Sequence, residues 1–146
     1  MKPTQINNLY QRGIDALIKE VDSFSTNDKL WESLPGVINS GGNLALHLWG
    51  SLNHFVCATV GGSDFKRDRD AEFSTKGLTK EELISRLTIT KKSVENTLLN
   101  LADADLQKDF PFDFAGKEST EYYLLFFVNH IHYHLGQISY LRRIIG

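Results

Sequence analysis

The sequence predicts an all-α protein, a four-helix bundle formed by a single domain over residues 1–146. Three observations carry that expectation. Apolar residues recur with the helical period in several long segments; only 3 prolines interrupt the chain; and the segments are joined by two long connections and one of intermediate length. A chain of 146 residues is long enough to bury a real core.

Taken in order, Thr4 to Phe24 places Ile6, Leu9, Tyr10, Ile14, Leu17, Ile18, Val21 and Phe24 on one stripe, with Asn7, Gln11, Asp15, Lys19 and Asp22 on the wet side. Ser25 to Ser40 contains Pro35-Gly36 and reads as a connection, with a short turn at Leu30-Trp31 and with Trp31 and Leu34 packing back on the bundle. The second helix starts at Asn39 or Ser40, either of which suits an N-cap, and runs to about Val60, where Gly61-Gly62 ends it. Ser63 to Gly77 alternates charges through Asp64-Phe65-Lys66-Arg67-Asp68-Arg69-Asp70 and reads as a solvated loop. Thr79-Lys80-Glu81-Glu82 fits a capping box and opens the third helix, which carries Leu83, Ile84, Leu87, Val94, Leu98 and Leu101. Asp103 to Lys117 is the second long connection, with Phe110, Phe112 and Phe114 expected to fold onto the core. The fourth helix spans Tyr122 to Ile145, and Arg142-Arg143 suit its negative pole.

Composition excludes several classes of function. Hydrophobic content of 41% and charged content of 23% are those of an ordinary globular protein, and a net charge of −2 provides no field for nucleic acid or an anionic membrane. No apolar run is long enough to span a bilayer, and the N-terminus lacks a secretory apolar core. The single Cys57 cannot form an internal disulfide. A cytoplasmic location is the resulting expectation.

The chemistry is concentrated in histidines. His130 and His134, four positions apart on the fourth helix, stack on one face with the spacing by which a helix offers two imidazoles to one ion, whereas His132 points to the opposite side. Midway along the second helix stands His47, with Asn43, Gly50, Ser51 and His54 within roughly 60° of it. Five such residues on one face are more polar than a core stripe should be, which suggests a polar pocket. Spacing alone leaves two readings open: three imidazoles gathered on one metal, or buried histidines satisfied in a core with a chance HxxxH pair. Asn43, Gln137 and His54 lie at helical phases from which they can hydrogen-bond ligating imidazoles.

The segments Asn43-Leu44-Ala45-Leu46-His47-Leu48 and His130-x-x-x-His134-Leu135-Gly136-Gln137-Ile138 resemble the DinB-like superfamily, including its YfiT-like metal-dependent hydrolases and its bacillithiol and mycothiol S-transferases. The stretch Arg67-Asp68-Arg69-Asp70-Ala71-Glu72-Phe73 resembles a bacterial subfamily with a similar arginine- and acid-rich run before a Glu-Phe pair. The likeness covers nearly the whole chain. It implies a metal centre of His47, His130 and His134 holding a divalent ion, nickel, zinc or iron, and matches no ligand to His54, His132 or Cys57. It further implies an enzyme acting on a small-molecule substrate, either transferring a low-molecular-weight thiol or hydrolysing. The alternative is a non-catalytic metal-binding or self-associating bundle. Tyr122, Tyr123, Phe126, Phe127, Tyr133 and Tyr140 make the fourth helix aromatic around much of its circumference, which raises a homodimer as a further expectation.

Overall fold

Apolar positions three and four apart wind Pro3–Ser23 into α1 and set Ile6, Tyr10, Ile14, Leu17 and Val21 on one fully buried stripe. The structure is a computed structural model and describes residues 1–146. Pro3 opens the helix, where its missing N–H is not needed. A single turn, α2 (Asn27–Leu30), is capped by Thr26, whose hydroxyl accepts from the Lys29 N–H. Ser40 caps α3 (Gly41–Ser51) by accepting from the Asn43 N–H at 3.1 Å. The helix then continues unbroken as a wider π-helical stretch, Leu52–Val60, and the chain turns away at Gly62, whose φ of 74° suits glycine. Thr79 and Glu82 form the reciprocal capping box of α5 (Lys80–Leu99), at 3.1 and 2.8 Å. Ser119 caps α6 (Thr120–Ile145).

The fold is therefore the expected all-α bundle of four long helices, with boundaries within two residues of expectation at both ends of α1 and at the start of α6. Leu101 falls just beyond α5. Each of α1 and α3 packs between α5 and α6, so α1 lies diagonally across from α3, and α5 from α6. The two long connections thereby acquire a physical reason. Each joins a diagonal pair and has to cross the end of the bundle, whereas the intermediate one joins neighbours.

One contiguous apolar cluster draws on all four long helices, and the Tyr10 hydroxyl spans it by donating to the Leu124 carbonyl at 2.6 Å. Trp31 packs back as expected, against Gly42, and its Nε1 donates to the Leu78 carbonyl. Phe110 is buried and stacks on Tyr123 with centroids 4.6 Å apart, but Phe112 and Phe114 stay substantially exposed. The connection after α3 departs most from expectation. Asp64, Lys66, Asp68, Arg69 and Asp70 are exposed as their alternating charge suggests, but Asp68 caps a short helix, α4 (Arg69–Ser74), and Glu72 is only 3% exposed, so the end of this stretch folds against the bundle instead of forming solvated loop.

Candidate metal centre

Two neighbouring helices supply three imidazoles to one point. His47 is buried in the middle of α3, while His130 and His134, one turn apart on α6, are half-buried. The His47 ring centroid lies 5.0 Å from each of the other two, which are themselves 4.7 Å apart and nearly perpendicular. One nitrogen from each ring can be chosen so that all three lie within 4.8 Å of one another. His47 Nε2 and His130 Nε2 are 3.1 Å apart.

Two of the three outward nitrogens are held by the protein. His47 Nδ1 meets Glu72 Oε1 at 3.0 Å, and His134 Nδ1 meets Gln137 Oε1 at 2.7 Å, so in both rings Nδ1 carries the proton and Nε2 is left with its lone pair. Glu72 is fixed in turn by Arg67, whose Nε and Nη2 donate to its two oxygens at 2.8 and 2.9 Å. Asn43 sets the position of α4 itself. Its Nδ2 donates to the carbonyls of Glu72 and Thr75, while its Oδ1 accepts from Ser40 and Lys76. The carboxylate reaches His47 only because Gly50 has no side chain. A Cβ there would fall on a Glu72 oxygen, 2.5 Å from Cδ. Gly50→Ala is accordingly expected to push Glu72 and α4 outward and to cost about 2 kcal/mol of stability in denaturant unfolding. An unchanged midpoint would contradict the close packing.

Electrostatics favour the neutral form of His130 and His134, the form a cation needs. Burial, joined by the charges of His134, His47, Arg67 and Arg69, depresses the His130 pKa from 6.5 to about 4. Burial and His47 also lower His134, against the opposing hydrogen bond to Gln137. Burial opposes ionisation of Glu72, but the hydrogen bonds from His47 and Arg67 and the charges behind them outweigh it and hold the carboxyl below its ordinary range. Because the folded protein resists protonating His130 while the unfolded chain does not, chelator-treated protein is expected to lose stability as pH falls from 6.5 to about 4. His130 accounts for about 2 kcal/mol of that loss after allowing for partial exposure, so His130→Ala loses correspondingly less over the same range, with the share from His134 and Glu72 remaining. A pH-independent difference between the two proteins would refute this.

The donor set fits a metal. Two imidazole nitrogens bonded to one ion at about 2.0–2.1 Å, with an angle near 100°, lie about 3.1–3.2 Å apart, the spacing of His47 Nε2 and His130 Nε2. Imidazole donors suit zinc, nickel or iron.

A sequence model of the DinB superfamily matches residues 9–138. The chain belongs to the DinB superfamily. Among solved structures, a DinB-like protein from Bacillus cereus superposes with a TM-score of 0.73 at 20% identity, covering 94% of this chain and 89% of that one. A conserved protein from Enterococcus faecalis gives 0.78 at 15% identity, covering 99% and 98%. At these identities the likeness establishes the fold alone. No curated protein matches the sequence.

Of the residues singled out in this DinB-superfamily chain, His47, His130, His134 and Gln137 come together. Asn43 acts one step further out, on the backbone of α4. His54 does not join them. It lies two turns beyond His47, on the π-helical stretch, and packs on Phe55 and Phe112. His132 faces the α1 side, in a groove with Lys19 and Glu20. Burial pushes the Cys57 thiol up to about 11, against a hydrogen bond with Thr97, which leaves it a poor nucleophile. Glu72 and Arg67 are the residues that sequence reasoning missed; the only available signal was the Glu72-Phe73 pair after the arginine-rich run.

Proposed function

We propose that the protein is a divalent-metal-dependent enzyme in which His47, His130 and His134 hold the ion, and that it transfers a small thiol to an electrophile. One observation carries the catalytic reading: the cluster opens into a cleft of about 380 Å³ to which His47 and His130 both contribute, so a small molecule can reach it. No fourth histidine, cysteine or carboxylate joins the group, as is characteristic of catalytic rather than structural sites. An ion held there supplies the Lewis acidity that makes a thiol or a water nucleophilic near neutral pH.

The chain's own residues orient and shield. Glu72 and Gln137 fix the rotation of two imidazoles, and phenylalanine rings beside the cluster thin the water around the reacting atoms. In the transfer, the thiol proton passes to solvent, sulfur forms a bond to carbon, and the leaving group departs with its electron pair. Family likeness favours the thiol over water as nucleophile.

The test is a panel of low-molecular-weight thiols and electrophiles, assayed with metal-loaded and metal-stripped protein. Metal-dependent consumption that disappears in His134→Ala is the expected result. No rate above background, with bound metal verified, would overturn thiol transfer in favour of hydrolysis or a non-catalytic role. Self-association has its own support: Tyr133, Tyr140 and Ile144 on the outer side of α6 are each about two-thirds exposed, and Ile38 is almost wholly exposed beside the groove that Tyr140 and Ile144 line. A homodimer through this face predicts twice the chain mass in light scattering at micromolar concentration, and a monomer mass would remove it.

A further inference from the structure

Beside the imidazoles the cleft combines two kinds of wall that the metal centre itself does not require. One is formed by Phe55, Phe114, Phe126 and Phe127; the other by Arg67 and Arg69. Phe127 is buried, whereas Phe114 is 56% exposed, so the aromatic wall runs from the floor of the cleft to its mouth.

The cations on the other wall are not balanced. Glu72 is the only carboxylate in contact with the two arginines, and it is taken up by Arg67 and His47. Arg69 makes no ion pair, and its guanidinium lies over the Phe73 ring at 5.3 Å. Asp68 faces a different groove, with Lys66 and Arg86, and Asp70 is exposed outside the cleft. Two guanidiniums against one carboxylate leave one positive charge. Arg67 also keeps donors in hand, because Nε and Nη2 bind Glu72 while Nη1 has no protein partner. A guanidinium held on an aromatic face, with N–H groups free, is a ready receptor for a planar anion.

We infer that the cleft binds a small organic monoanion with an aromatic body: the ring lies among Phe55, Phe114 and Phe126, and its carboxylate or equivalent anionic group is received by Arg69 and the free edge of Arg67. This gives the chemical class of the electrophilic substrate and in that respect rests on the catalytic reading, but the binding site itself needs no metal. An acid without the ring would leave the phenylalanines wet, and a neutral aromatic would leave Arg69 unpaired.

Titration calorimetry with chelator-treated protein tests this with phenylacetate, its neutral analogue phenethyl alcohol, and acetate. Phenylacetate is expected to bind about tenfold more tightly than either of the others. Arg69→Ala, a change at an exposed position, is expected to reduce phenylacetate to the level of the alcohol, and Arg69→Lys to restore part of the difference. Phe114→Ala is expected to weaken both aromatic probes and leave acetate unchanged. Equal affinity for phenylacetate and the alcohol, or for phenylacetate and acetate, would overturn the inference, as would absence of binding by all three. Because these titrations contain no metal and no reaction, a failed turnover assay would leave the binding site standing, and a failed titration would leave the catalytic reading standing.

Discussion

Alanine at His47, His130 or His134 is expected to empty the centre of metal, whereas His132→Ala retains about one divalent ion per chain. A centre built on three imidazoles has no redundancy: two remaining rings hold an ion by chelation from one helix or across one pair, and the expected fall in affinity exceeds the roughly 10–100-fold typical of losing an outer hydrogen-bond partner. His132, exposed on the α1 side of α6, supplies the control, since it changes the same helix without touching the cluster. Elemental analysis after gel filtration reads the ion, and thermal unfolding of the same samples shows that each variant is folded. Equal metal content in all four variants would remove the three-histidine centre.

That these three positions were legible in the sequence follows from where they stand. Helical spacing fixes the direction of a side chain relative to its neighbours, so His130 and His134 could be placed on one face, and a proline-poor chain with four periodic segments left one bundle to build them into. Glu72 and Arg67 could not be placed in the same way. They come from a connection with no period, and an alternating run of acids and bases has the same pattern whether it is solvated or folded against a helix. What decides between the two is the absence of a side chain at Gly50, 22 positions earlier, which pattern reading treats as one more small residue on a packed face. The π-helical stretch was equally hidden, because the apolar pattern through Val60 is satisfied by either winding.

Glu72 carries the second large effect. Glu72→Gln retains the size and a hydrogen bond but loses the charge that makes the His47 ring a stronger donor and that balances Arg67. Metal affinity is expected to fall about 10–100-fold, with the fold intact. Glu72→Ala goes further, leaving the Arg67 guanidinium without its partner and His47 Nδ1 without an acceptor in a buried place, and is expected to cost about 3 kcal/mol. Competition against a chromogenic chelator measures the first and urea unfolding the second. Wild-type metal affinity in Glu72→Gln would reduce the carboxylate to a packing role.

The attachment of α4 has a consequence for how the protein opens. Six residues are too few to stay helical unaided, and α4 is held by Asn43, by the Glu72 contacts and by its packing on α3. Such a segment can lift away as a unit while the four long helices remain closed, and its amides then exchange with solvent at a rate set by that local event rather than by global unfolding. Lifting it also strips His47 of the acceptor that fixes its ring. An ion bound at the cluster therefore opposes the excursion, so hydrogen–deuterium exchange across Arg69–Thr75 slows as metal is added, reporting occupancy at amides that never touch the ion.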